Sequence, residues 1–171
     1  MKIQIRTATC EDAKALCEFM EQSFRDTFAE FNTPEDMDAY CRKHFSHAQQ
    51  RDEIQNPGII TRLMLASANI AGYVQLRPGN AFEHCPLSNP MHLDRIYVAR
   101  EFLGMGVADS LFLDSMQQAQ ALNCDGIWLG VWEHNPRAIR FYQKLGFVEC
   151  GDTRFWLGND KQRDLLMLKR F

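Results

Sequence analysis

The heptapeptide GIWLGVW, residues 126–132, is apolar almost without interruption. A strand with one wet face alternates apolar and polar side chains, so an unbroken run belongs to a strand covered on both sides. Any sheet that holds it must therefore carry cover on both faces, and the flanking segments can supply it. Before the run, Val107, Leu111, Met116 and Ala119 recur near helical spacing. After it, HNPRAIRFYQKLGF (134–147) carries the start and stop signals of a helix. Asn135 can cap the free backbone N–H groups, Pro136 suits the first helical position, and Gly146 can adopt the left-handed conformation that ends a helix. Within that helix Ala138, Ile139, Tyr142 and Leu145 share one face, so Tyr142 points wherever the apolar face points.

The remaining elements follow from the same reasoning. IQIRTAT alternates from Ile3 and predicts a first strand. Residues 12–31 predict a helix with Leu16, Phe19, Met20, Phe24 and Phe28 along one stripe. Thr33 and Pro34 open a second helix to about His44, and a third helical piece runs from about Ala48 to Gln55, where Asn56, Pro57 and Gly58 stop it. GIITRLMLASANIAGYVQLRPG predicts two strands around a tight turn at 67–69, followed by a loop at 79–91 and the strand HLDRIYVA, 92–99. FVECGDTRFWLG and RDLLMLKR predict two strands around a turn at 158–161. This order describes an α/β (α+β) protein, one domain over 1–171, with a mixed sheet and helices on both faces. The tail strand, 163–169, is compatible with pairing inside a monomer and with capping a sheet edge across a homodimer.

Bulk properties exclude several classes. At 171 residues, with 46% hydrophobic and 24% charged residues, the composition is that of a soluble globular domain. No window approaches the roughly 18 apolar residues of a membrane span. The start MKIQIRTATCEDAK lacks the apolar core of a signal peptide, so the expected location is cytoplasmic, with no membrane partner. The six cysteines form no CxxC pair and read as reduced thiols, mostly small core residues. A net charge of −3 argues against nucleic acid, whose binding draws on clustered Lys and Arg. The five histidines have no metal-ligand arrangement; His44 and His47 at i, i+3 read as a solvated helix face, and no metal is expected. Between residues 11 and 38 stand nine acidic residues against two basic ones. Such a field would concentrate a cationic ligand, and it is equally what a solvated helical face looks like.

In RIYVAREFLGMGVADSLF a strand runs through a turn with Gly104 and Gly106 into a helix, with the small Ala108 near its start. Amides at a helix N-terminus are unsatisfied donors with partial positive charge, and glycine lets an anion approach them. The spacing is not the dinucleotide fingerprint, since Asp109 stands where glycine would be needed, and no Gly-Lys-Ser/Thr follows to make a P-loop.

With the strand before it and the Asn-Pro helix after it, this segment resembles the GNAT family of acyl-CoA N-acyltransferases. The family pattern Gln/Arg-x-x-Gly-x-Gly/Ala aligns on residues 103–108, where Gly106 and Ala108 match. Leu103 stands where Gln or Arg is usual, which leaves the backbone cradle intact without side-chain help. TFAEFNTPEDMDAY and the tail RFWLGNDKQRDLLM look like the PaiA-type polyamine N-acetyltransferases, whose tail pattern is met by Phe155, Gly158, Gln162, Asp164, Leu165 and Met167. The resemblance implies a mostly antiparallel mixed sheet of about seven strands, splayed between strands 4 and 5. In that gap would lie the pantetheine arm of acetyl-CoA, the co-substrate. It implies that Ile96, Tyr97 and Val98 line that arm, with backbone groups of Ile96 and Val98 pairing its amides. Gly104, Met105, Gly106, Val107 and Ala108 would hold the pyrophosphate, and Asn135 would lie along the arm.

It also gives Tyr142 a task. When an amine attacks the thioester, the leaving thiolate has a conjugate acid near pKa 8.5, so a phenol near about 10 is a feasible proton donor. An alkyl amine of pKa about 10.4 is neutral only about once in 2,500 molecules at pH 7, a handicap of roughly 4.6 kcal/mol without a base. Asp94 is the candidate base, with Glu133 behind it, and the Val98 N–H is the candidate donor to the developing oxyanion. The expected reaction is transfer of acetyl to a primary amine, with spermidine or spermine as the acceptor that the resemblance implies. A protein N-terminus or lysine as acceptor, and a non-catalytic acyl-CoA-binding regulator, are the alternative readings.

Overall fold

The structure, a computed structural model, describes residues 3–157 and 159–171. Its elements run β1 (Ile3–Thr7), α1 (Ala13–Phe28), α2 (Pro34–His44), α3 (His47–Gln55), β2 (Ile60–Ala66), β3 (Asn69–Pro78), β4 (Pro90–Val98), α4 (Val107–Ala121), β5 (Gly126–Trp132), α5 (Pro136–Lys144), β6 (Val148–Leu157) and β7 (Asp160–Arg170). The seven strands form one sheet in the order β1-β2-β3-β4-β5-β7-β6. Only β4 and β5 run parallel; every other neighbour is antiparallel. The mixed, mostly antiparallel sheet expected from the sequence is therefore present.

Differences from the sequence reading are local. The first helix ends at Phe28, and Ala29–Phe31 tighten into a 3-10 turn. β4 begins at Pro90, inside the expected loop, because Met91 pairs with Pro78 and the Gly79 N–H donates to the Pro90 carbonyl at 2.8 Å. β7 lies between β5 and β6 of the same chain. Of the turn expected at 158–161, Gly158 lies outside the described residues.

Strand parity explains the unbroken apolar run. Ile127, Leu129 and Val131 of β5 enter the main core with Leu111 and Phe112 of α4 and Tyr142 of α5. Trp132 packs on the opposite face with Phe24 and Phe28 of α1 and Met37 and Cys41 of α2. A second cluster on that face joins Leu16 and Met20 of α1 to Leu63 and Tyr73. Helices cover one face of β5 and the Trp132 end of the other, and Leu87 and Phe82 of the loop before β4 cover Trp128, so both sets of its side chains are apolar.

A one-residue irregularity shapes the centre of the sheet. Leu76 pairs with Leu93 and Gln75 with Arg95, so Asp94 has no partner on β3 and forms a bulge. The extra residue shifts side-chain parity, and Met91 and Leu93 before it share the α4 core with Ile96 and Val98 after it. β4 and β5 pair only at Pro90–Gly126, Met91–Ile127 and His92–Trp128. Beyond that point, where the bulge bends β4, the strands part. Behind the parted segment, Gly72 of β3 pairs with Val98, and α4 sits tightly on it. A Cβ at Gly72 would lie 2.8 Å from the Tyr97 carbonyl oxygen and 3.0 Å from both Leu111 Cδ1 and Val107 Cγ1. Gly72→Ala is accordingly expected to destabilise the fold by about 1–3 kcal/mol, read as a lowered denaturation midpoint with unchanged m-value.

Candidate active site

The parted strands open a cavity of about 1090 Å³ that reaches from α1 and α2 on one face to the starts of α4 and α5 on the other. Hydrogen-bond alternation decides which backbone groups of β4 face it. The Ala99 N–H donates to the Ala71 carbonyl at 2.9 Å, and Tyr97 and Arg95 follow in the same register toward β3. The N–H and C=O of Ile96 and Val98 therefore point away from β3, into the gap, while their side chains pack on the core. Tyr97 turns its ring to the other face, stacked on Tyr73 with centroids 5.9 Å apart.

At one end of the gap stands the glycine turn. Gly104 and Gly106 have φ of +82° and +78°, left-handed values that a side chain would strain. Gly106 caps α4, and the Ser110 N–H donates to the Gly106 carbonyl at 3.0 Å, which leaves the N–H groups of the first turn without partners inside the helix. A Cβ built on either glycine meets nothing within 4 Å, so the open side of the turn is free for a ligand to approach the amides. Gly104, Gly106, Val107 and Ala108 line the cavity, as do Arg100 and Arg137, two cations that the sequence reading did not single out. Met105 stands apart: its N–H is taken by the Phe102 carbonyl at 3.2 Å and its side chain is 68% exposed.

α5 follows its sequence signals closely. Asn135 Oδ1 accepts from the Ala138 N–H at 3.1 Å, and Gly146 ends the helix at φ +87°. Tyr142 lines the cavity at 7% exposure, its ring between those of Phe141 and Phe147. Burial raises its phenol well above the ordinary value, so the group holds its proton throughout the neutral range.

The opposite half of the cavity is walled by aromatic rings from α1, α2, β5 and β6, among them Phe24, Phe28, Tyr40, Trp132 and Phe155. Carboxylates interrupt the wall. Of the acidic residues between 11 and 38, Asp26 and Glu30 line the cavity; Asp12 is held by Arg6 at 2.7 Å, and Glu21 and Asp38 both bind Arg25. The two candidate bases each have an arginine partner. Asp94 lies at the cavity with Arg77 Nε 2.7 Å from its Oδ2. Glu133 bonds Arg163 at 3.2 Å and faces a separate hollow of about 500 Å³ instead. A third carboxylate, Asp164 of β7, lines the main cavity without any such partner among the described residues. In the sequence it is marked only as part of the tail pattern. A lone acid in an otherwise apolar stretch of inner strand is the signal that would have found it.

Among the described residues no group of three or more His, Cys, Asp or Glu side chains is placed to hold a metal ion. No helix among them is long and apolar enough to cross a membrane.

A sheet parted beside a bulge, with free amides at the end of the gap, is the architecture of an acyl-CoA-dependent N-acyltransferase. Residues 17–147 match the acetyltransferase (GNAT) family, and the chain belongs to it. It is 32% identical over 159 residues to an uncharacterised N-acetyltransferase of Lactobacillus delbrueckii subsp. lactis, covering 91% of this chain and 92% of the relative. It is 25% identical over 154 residues to the spermidine N(1)-acetyltransferase of Thermoplasma acidophilum, covering 86% and 89%. The crystal structure of a PaiA N-acetyltransferase from Thermoplasma acidophilum in complex with coenzyme A superposes with a TM-score of 0.82 at 22% identity, over 100% of both chains. The chain is thus an N-acetyltransferase with acetyl-CoA as co-substrate. Gly106→Val, which strains a left-handed residue and covers the amides, is expected to raise KM for acetyl-CoA about tenfold or more while changing the acceptor KM little; steady-state kinetics with each substrate varied in turn reads the difference.

Proposed function

We propose that the chain transfers acetyl from acetyl-CoA to a primary amine of a polyamine such as spermidine or spermine. The observation that carries this reading is the acceptor half of the cavity, where aromatic faces alternate with carboxylates. A flexible polycation suits such a surface: its methylene segments cover the rings, and its ammonium groups meet carboxylates and ring faces. Similarity to a spermidine N(1)-acetyltransferase along most of the chain supports the same acceptor.

In this reading the pantetheine arm of acetyl-CoA lies in the gap and pairs with the outward backbone groups of Ile96 and Val98. Tyr97, between them, closes the gap from the other face, and Asn135 flanks the arm. The amides at 104–108 hold the pyrophosphate, chiefly from Gly104, Gly106, Val107 and Ala108, with Arg100 and Arg137 adding charge. The Val98 N–H donates to the carbonyl oxygen as charge develops on it. Tyr142 gives its proton to the departing sulfur; a phenol kept protonated by burial is always in the form this step requires. Asp94, beside the cavity and paired with Arg77, and Glu133, paired with Arg163, add negative charge near the acceptor.

Thiol release from acetyl-CoA across polyamines, amino acids and peptides tests the acceptor. Polyamine-selective release is expected; peptide-selective release, or coenzyme binding without release, would replace the reading. Tyr142→Phe keeps the packing and removes the proton, so kcat should fall about 10²-fold with acetyl-CoA KM within about twofold. Unchanged turnover between pH 6 and 9 would remove Tyr142 from the mechanism.

A further inference from the structure

We propose that Asp164 receives the ammonium group of the acceptor and takes its proton before the nitrogen attacks, a role that rests on the acetyltransferase reading above. Asp164 pairs with Trp132 of β5 on one side and Thr153 of the edge strand β6 on the other. Its neighbours Leu165 and Met167 face the α4 core, whereas Leu166 and Leu168 pack with Trp128 on the other side, and Asp164 shares that second parity. The side chain reaches the gap because β5 has no side chain at Gly130. A Cβ built there would lie 3.3 Å from Asp164 Oδ2 and would crowd the carboxylate, while Gly130 and Asp164 both line the cavity.

The carboxylate's other oxygen is the telling one. Oδ1 is buried and has no hydrogen-bond partner among the described residues. A buried acceptor left without a donor costs stability, and a ligand N–H at the cavity would complete this one. Asp94 and Glu133 differ in this respect, since an arginine already satisfies each of them.

The groups around Asp164 leave it to a cationic ligand. Tyr40 of α2 and Tyr97 of β4 sense its charge, and burial raises both phenols, so both stay neutral. Arg95 of β4 lines the same cavity but is committed to Gln75 at 2.8 Å and Glu53 at 3.1 Å. Across the cavity stand Asp26 of α1, Glu30 in the 3-10 turn after it, His44 of α2, the paired Asp94 of β4, His134 just before α5, and Arg137 and Tyr142 in the first and last turns of α5. Desolvation raises the Asp164 carboxyl to about 6. At neutral pH it is mostly ionised, and it is a stronger base than an ordinary aspartate.

The proton account closes. Asp164 takes one proton from the ammonium and frees the lone pair. Nitrogen bonds to the thioester carbon, the carbon–sulfur bond breaks with its electron pair on sulfur, and Tyr142 protonates the sulfur. The second nitrogen proton restores the phenol, and the proton on Asp164 leaves to solvent. The products are one amide, one thiol and one proton.

The test uses the full chain with saturating acetyl-CoA, kcat/KM for spermidine from pH 5 to 9, and the variants Asp164→Asn and Asp164→Glu. Wild type should show an acid limb with a midpoint near about 6. Asp164→Asn should lose that limb and at least about 10²-fold in kcat/KM, with coenzyme A affinity unchanged by calorimetry, and Asp164→Glu should recover part of the loss. A fluorinated aliphatic amine, already neutral at pH 7, should lose at least about tenfold less than spermidine on Asp164→Asn, because it needs no base. Stability gives an independent readout. The folded-state pKa lies above the ordinary one, so the carboxyl's favourable contribution is full below pH 4 and is lost as pH rises through about 6. Asp164→Asn should therefore melt several degrees higher than wild type at pH 8, a gain that disappears at pH 4. An Asn variant with the limb intact and near-normal kcat/KM overturns the proposal, as does equal loss with both amines. Wild type that releases no thiol with any polyamine overturns the polyamine reading itself, a separate outcome.

Discussion

The bulge at Asp94 is the constraint on which the site depends. Without it β4 would keep one parity throughout, and Met91 and Leu93 could not share the α4 core with Ile96 and Val98. The same extra residue coincides with the end of pairing between β4 and β5, after His92 and Trp128. A parallel pair that stopped hydrogen bonding inside a closed core would leave backbone groups unsatisfied. Here the groups of Ile96 and Val98 open into a cavity, where a ligand with amides of its own can complete the ladder.

The donors and acceptors around the gap are held ready by regular elements. The glycines at 104 and 106 keep the first turn of α4 open, and Asn135 and Gly146 fix both ends of the helix that carries Tyr142. Burial raises both Tyr142 and Asp164, because each is charged only when deprotonated; the phenol, which starts above neutral pH, is kept protonated, and the carboxylate, which starts well below it, becomes a stronger base, as the proposed reaction requires. Such a carboxylate works against the stability of the fold, a cost commonly met where a site must be ready before its ligand arrives.

Much of the fold was legible because its signals are local. The Asn-Pro start and glycine stop of α5, the unbroken β5 run and the strand-glycine-helix passage each depend on neighbours within one or two turns. The roles of the carboxylates were not local. Asp94 and Glu133 are candidate bases in the sequence, but their partners Arg77 and Arg163 stand 17 and 30 residues away and are not visible there. Of the acidic stretch at 11–38, Asp12, Glu21 and Asp38 are spent on Arg6 and Arg25, and only Asp26 and Glu30 meet the cavity.

By itself the sequence determined the helical and extended segments, the apolar faces and the glycine turn, since propensity, capping and periodicity act over a few residues. Only the tertiary structure decided where β4 and β5 part, that β7 enters between β5 and β6, and that Asp164 shows its carboxylate through the space left by Gly130. Those outcomes depend on register and on which side chain is missing from a neighbouring strand, and such distances exist only after the chain has closed its core.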